Sequence, residues 1–160
     1  FEKAIKDVGE FIGIESERPE EETGVGPDDL YWIDKEYAMI IECKNEVKED
    51  KNICKRDCNQ LNGSYEWYKR EYEKTGIEGI PIMIHPSNIY NRECTPNKKT
   101  RIITEAELNS LKDNIDKFIK ELSKQQNYKD RNNIEKLLNN HMLSGRNLLE
   151  NYTTAYKMSK

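Results

Sequence analysis

The sequence predicts an α/β domain, a small mixed sheet covered by helices, on three observations. Short continuous apolar runs, Ala38-Met39-Ile40-Ile41 and Ile80-Pro81-Ile82-Met83-Ile84, suit strands buried on both faces. Apolar residues at helical spacing recur around them, at Ile5, Val8 and Ile12 and again at Leu108, Leu111, Ile115, Phe118 and Leu122. Helix and strand patterns alternate along the chain, as layered α/β architectures require.

Residues 2–13 read as a helix, with Phe1, Ile5, Val8 and Ile12 forming one stripe, Phe11 beside it, and Gly13 as a natural stop. Ser16 to Gly26 is acidic and holds Pro19, Gly24 and Gly26, a loop composition. Leu30–Ile33 and Ala38–Cys43 flank the polar stretch Asp34-Lys35-Glu36 and read as a hairpin. Lys48 to Lys74 carries Ile53, Leu61, Tyr65, Tyr68 and Tyr72 at helical intervals, so one long helix is expected, or two broken near Asn62-Gly63. Gly76 to Gly79 turns the chain into a strand over Ile80–His85, and Pro81 is tolerable near a strand's start. Residues 87–100 read as a loop and Arg101–Thr104 as a short strand. Thr104 with Glu107 resembles a capping box opening the helix that runs through Leu122. A last helix, about Asp130 to Tyr156, carries a kink at Gly145.

The chain has 160 residues, 35% hydrophobic and 35% charged, with a formal net charge of −4. That length fits one domain, expected over residues 1–123, with a C-terminal helical extension over 124–160. The acidic balance excludes a broad basic surface, because phosphate neutralisation supplies most sequence-independent nucleic-acid affinity. A grip on nucleic acid is therefore local or supplied by further domains of the polypeptide or a partner subunit. The opening Phe1 inside a helical pattern reads as a piece of a larger protein. No run reaches the roughly 18 apolar residues of a membrane helix and no signal-peptide pattern appears, so a cytoplasmic location is expected. Cys54 and Cys58 share a helix face, but Cys43, Cys94, His85 and His141 are too scattered to complete a zinc site, and reduced thiols are expected.

The chemistry concentrates in Gly26-Pro27-Asp28-Asp29-Leu30-Tyr31-Trp32 and Ile40-Ile41-Glu42-Cys43-Lys44-Asn45. Side chains alternate along a strand, so Glu42 and Lys44 point to one side where an apolar strand runs out of core. A hairpin with an odd loop such as Lys35–Tyr37 sets Asp28 opposite Lys44 and diagonal to Glu42. An even loop turns Asp28 to the face of Cys43 and makes Asp29 the partner instead. In either register two carboxylates and the carbonyl of Cys43 form an oxygen-rich set suited to Mg²⁺ or Mn²⁺. Lys44 would position the attacking water or stabilise a developing oxyanion.

Pro27-Asp28 followed by Glu42-Cys43-Lys44 resembles the PD-(D/E)XK nuclease superfamily, and the leading helix, hairpin, helix and further strands are similar to its core. The likeness covers about residues 1–122. It implies a restriction-endonuclease-like mixed sheet, a metal-dependent nuclease that hydrolyses DNA, with endonuclease or exonuclease action and RNA as substrate left open, and Mg²⁺ or Mn²⁺ as cofactor. By the same likeness Asp28 and Glu42 hold the metal, Lys44 is the catalytic lysine, Glu10 (with Glu2 competing) is an additional acidic residue, and Gln60 is a polar helper beside the site. A closer likeness is to nuclease domains attached to helicases or found in restriction and phage-defence proteins.

Each of these residues also has an ordinary reading. Gly-Pro-Asp-Asp is a turn composition, and Glu42 with Lys44 makes an ion pair worth under about 1 kcal/mol if exposed. Glu10 reads as a solvated helix residue, His85 as a satisfied structural histidine and His141 as a surface residue. Trp67, Tyr65, Tyr68 and Tyr72 read as packing against the sheet rather than as a platform for bases. Lys48, Lys51, Lys55 and Arg56 either touch phosphates or belong to a mixed solvated face. Two other function classes remain: a catalytically silent module of this fold that binds nucleic acid or protein, and a homodimer joined through the last two helices.

Overall fold

The computed structural model describes residues 1–44, 47 and 51–160. Asn45 and Lys48 of the sequence reading lie outside the described residues. The architecture is mixed α/β. Helix α1 (Glu2–Phe11) leads into an edge strand β1 (Glu15–Glu17), a short helix α2 (Pro19–Thr23) and the hairpin β2 (Asp29–Trp32) and β3 (Tyr37–Cys43). Helix α3 (Lys55–Tyr72) crosses to β4 (Glu78–Ile84), followed by β5 (Ile89–Tyr90), β6 (Arg101–Ile103) and α4 (Glu105–Leu122). Two helices, α5 (Arg131–Asn140) and α6 (Gly145–Asn151), precede β7 (Thr154–Ala155) and β8 (Lys157–Met158).

Six strands form one sheet in the order β1-β2-β3-β4-β6-β7, and β5 pairs with β8 separately. The β1, β2 and β3 pairings are antiparallel, β3-β4 and β4-β6 are parallel, and β7 returns antiparallel to β6. The parallel centre explains the unbroken apolar runs, because β3 and β4 are covered on both faces. Tyr31, Ile33, Met39, Ile41, Cys43, Ile80, Ile82 and Ile84 face a core shared with α1, α4, α5 and α6. Leu30, Ala38 and Ile40 point the other way, onto Tyr68 of α3 and its neighbours Tyr65, Trp67 and Tyr72. These aromatics pack on one another, with Trp32 and Tyr72 ring centroids 5.0 Å apart.

Several elements differ from the sequence expectation. The stretch expected as a loop at Ser16–Gly26 forms β1 and α2, since the β1 backbone pairs from Glu15 with Trp32 and Pro19 opens α2 where its missing N–H is not needed. Helix α3 starts at Lys55, after Ile53 has bridged to Tyr90, and runs unbroken through Asn62-Gly63. Pro81 is the fourth residue of β4, not near its first position. Its backbone lies on the side from which the His85 N–H donates to Ile103 O, and β6 pairs there only from Ile82 onward, so no ladder bond is lost. The single C-terminal helix is instead two, followed by strands. Gly145 starts α6 rather than kinking a helix, because its backbone lies against the Ile33 carbonyl, 2.5 Å from where a Cβ would sit. Leu137, Leu143, Leu148 and Tyr152 from this segment are buried in the same core as the sheet. Thr104 and Glu107 form the expected capping box.

Among the described residues no helix is long and apolar enough to cross a membrane. All four cysteines are free.

Candidate functional site

The hairpin register decides which aspartate meets Glu42. Asp29 pairs with Ile41 and Trp32 with Ala38, so the turn spans Asp34-Lys35-Glu36, where Asp34 Oδ1 accepts the backbone N–H groups of Glu36 and Tyr37. The loop is odd, as in the first alternative, but two residues of register differ: Asp28 comes directly beside Glu42, not opposite Lys44. Its carboxylate is fixed there by the Cys43 N–H, which donates to Oδ2 at 2.7 Å. Asp29 takes the opposite face, with Cys43 Sγ 4.0 Å from its Oδ2. The strand's alternation therefore separates two residues that sequence alone left interchangeable.

Glu42 is fully buried, at 0% exposure, and Asp28 nearly so at 6%. The Ser64 hydroxyl of α3 donates to Glu42 Oε1 at 2.6 Å, and Lys44 Nζ donates to Oε2 at 3.4 Å. Burial pushes the Glu42 carboxyl up to about 7, and the Asp28 charge adds to this, while Ser64 and Lys44 pull it back. The site is thus a crowded negative centre with one ammonium beside it.

A third carboxyl approaches from α2. The Glu20 N–H donates to the Pro27 carbonyl at 3.2 Å, which brings this helix against the Asp28 loop. Glu20 is held above the ordinary carboxyl range, first by its hydrogen bond with Asp28 and then by burial. Glu2, Arg18, Glu20, Glu21 and Asp28 line a cavity of about 280 Å³. Arg18 spans it, its guanidinium 2.8 Å from Glu2.

Gly26 sets the approach of Asp28. Its φ is +106°, and an added Cβ would lie 2.9 Å from Pro19 Cβ and 3.0 Å from the Trp67 ring. Trp67 is thus a wall behind the Asp28 loop. We predict that Gly26→Ala costs about 1–3 kcal/mol in urea unfolding, from left-handed backbone and overpacking combined.

The other expected site residues fall outside this group. Glu10 is exposed on α1 and ion-pairs with Lys6, whereas its competitor Glu2 lines the cavity with Asp28. Gln60 is exposed on α3, one turn before Ser64, and it is Ser64 that reaches Glu42. A mid-helix serine gives no sequence signal of this role beyond its i+4 spacing from Gln60. Glu20 and Arg18 were hidden in the acidic stretch expected to be a loop. Lys51, Lys55 and Arg56 are exposed near the start of α3, and Arg56 ion-pairs with buried Asp57.

Among the described residues no group of three or more His, Cys, Asp or Glu side chains is arranged as a metal cage. The donor set at Asp28 and Glu42 nevertheless fits a hydrated divalent cation, because Mg²⁺ keeps several waters and uses only one or two carboxylates. Glu42 and Glu20 are both raised, Glu42 first by burial and Glu20 first by its hydrogen bond with Asp28, so the three carboxyls share protons as well as space. Comparison with protein-family models, curated proteins and solved structures returned no match for this chain.

Proposed function

We propose that this chain is a metal-dependent nuclease domain of the PD-(D/E)XK type that hydrolyses DNA phosphodiester bonds with Mg²⁺ or Mn²⁺. The observation that carries the reading is the buried pair Asp28 and Glu42, side by side at the end of the β2-β3 hairpin, with the Lys44 ammonium 3.4 Å from Glu42. The sequence of α1, hairpin, α3 and a strand parallel to β3 supports a restriction-endonuclease-like arrangement. Asp28 and Glu42, with the Cys43 carbonyl, would hold the cation. When bound, the cation supplies charge neutralisation at the scissile phosphate and activation of water.

The protein's own groups do the rest. The Cys43 N–H fixes the Asp28 carboxylate beside Glu42 through Oδ2 at 2.7 Å. The Ser64 hydroxyl orients Glu42 from behind. Lys44 offers its ammonium to the attacking water or to a phosphate oxygen. With a net charge of −4, the hold on DNA is either local, around Lys/Arg clusters, or supplied by further domains or a partner subunit, as in helicase-associated or phage-defence assemblies. Buried free thiols fit a cytoplasmic setting.

Calorimetry with Mn²⁺ and cleavage of plasmid DNA test the reading. Wild type binds Mn²⁺ and cuts, while Asp28→Asn binds it at least about 10-fold more weakly and does not cut. A folded wild type that neither binds Mn²⁺ nor cuts any DNA or RNA overturns it. That outcome favours a catalytically silent module of this fold that binds nucleic acid or a protein partner.

A further inference from the structure

His85 sits at the carboxyl end of β4, where the register places it beside Lys44: Cys43 pairs with Ile84, and the Lys44 N–H donates to the Ile84 carbonyl at 2.9 Å. It is 2% exposed. The Ser87 backbone N–H donates to its Nδ1 at 2.9 Å. A backbone N–H cannot become an acceptor, whereas the Ser87 carbonyl, 3.0 Å from the same nitrogen, can find other donors. Nδ1 is therefore the acceptor and the ring proton resides on Nε2.

That Nε2–H is buried and has no hydrogen-bond partner among the described residues. A buried donor without an acceptor is costly, so the Nε2–H calls for an acceptor from outside the described residues, a water or a ligand. His85 and Lys44 both line a cavity of about 170 Å³, completed by Phe1, Ile84, Pro86, Ile103, Glu105 and Leu108. Lys44 and His85 thus both border an otherwise largely apolar pocket, at the strand ends where open α/β sheets place their ligands.

We infer that this pocket is a phosphate subsite, in which His85 Nε2–H and Lys44 Nζ donate to the oxygens of a substrate phosphate. Burial holds the His85 imidazole below its ordinary range, and the Lys44 charge adds to this against the pull of Asp57, so the ring meets the phosphate as a neutral donor. Glu105, exposed in the first turn of α4, is the one carboxylate among the lining residues and opposes anion binding. The inference rests on the nuclease reading for the identity of the phosphate, but not for the existence of the oxyanion site.

Histidine nitrogen NMR on the full chain, metal-free, with inorganic phosphate as probe tests it. There are two histidines, and His141 is set apart by its contact with Glu121. The expected result is a proton on His85 Nε2 and a saturable shift of that nitrogen with phosphate. His85→Leu weakens phosphate roughly 10-fold or more, His85→Gln restores part of the loss by keeping an N–H, and Glu105→Gln tightens binding. A proton on Nδ1, no saturable shift, or equal affinity in His85→Leu overturns the subsite. The wild-type tautomer and titration decide the matter even where His85→Leu fails to fold. Phosphate bound at His85 in a chain that cuts no nucleic acid keeps the subsite and removes the nuclease. Cleavage that needs Glu42 but is unchanged in His85→Leu does the reverse.

Discussion

If the proposed nuclease reading holds, Glu42→Gln and Lys44→Met should each reduce Mg²⁺-dependent DNA cleavage by a factor on the order of 10²–10³ while the protein stays folded. The two losses have different causes. Glu42 is fully buried, yet Gln keeps its volume, and its carbonyl still accepts from the Ser64 hydroxyl. What changes is the second oxygen, which becomes an amide NH₂ facing the Lys44 ammonium. A donor replaces an acceptor where the cation needs one, so metal affinity falls with activity. The side chain of Lys44 is 15% exposed, so the ammonium has room to swing outward in the variant without a buried unpaired charge being left behind. Lys44→Met keeps both carboxylates, so it loses the cleavage step more than Mn²⁺ binding. Single-turnover cleavage beside Mn²⁺ calorimetry separates the two patterns. Wild-type cleavage in both variants would sink the assigned site.

The hairpin was the most legible part of the site, and its residual ambiguity has a physical origin. Alternation along a strand fixes parity only, so Glu42 and Lys44 on one face followed from sequence, while the absolute register waited on the turn. That turn is set by Asp34, whose carboxylate captures two backbone N–H groups and moves the loop to Asp34-Lys35-Glu36. The consequence is Asp28 beside Glu42 rather than opposite Lys44. The parallel core was legible for a similar reason, since strands covered on both faces need unbroken apolar runs. Short edges were not. Glu15-Ser16-Glu17 at one margin and Thr154-Ala155 at the other are too brief and too polar to carry a period, and their strand state comes from neighbours already in place. The C-terminal break was hidden as well. The apolar spacing through Leu137, Leu138, Met142 and Leu148 continues across it, but Met142 adopts φ +58° and Gly145 presses on the Ile33 carbonyl, which stops one helix and starts another. Ser64 and Glu20 act across sequence gaps of 22 and 8 residues, to Glu42 and Asp28, and single-residue patterns do not register such pairs.

Asp29→Asn should flatten the pH dependence of stability and make the protein more stable than wild type at pH 8, by a few kcal/mol, on the order of 3. Asp29 is wholly buried on the face opposite Glu42. Its Oδ1 has no hydrogen-bond partner among the described residues, and its Oδ2 meets only a thiol at 4.0 Å. Burial pushes the carboxyl up to about 8; Arg18 pulls it down, and the charges of Asp28 and Glu2 add to the rise. In the unfolded chain the same group titrates near 3.9. The folded state therefore holds this proton more tightly than the unfolded state between about pH 4 and pH 8. The resulting stability is complete below the unfolded value and is lost as pH rises through the folded one, at up to about 1.4 kcal/mol per pH unit. Asparagine carries no such proton, so the variant loses this slope and keeps the smaller one from Glu42, whose carboxyl rises to about 7 by the same sign. Urea unfolding at pH 5 and pH 8 measures the difference, and parallel pH profiles for the two proteins would contradict it. Because Asp29 points away from Glu42, the variant also retains cleavage; loss of cleavage with the stability gain intact would return Asp29 to the metal site.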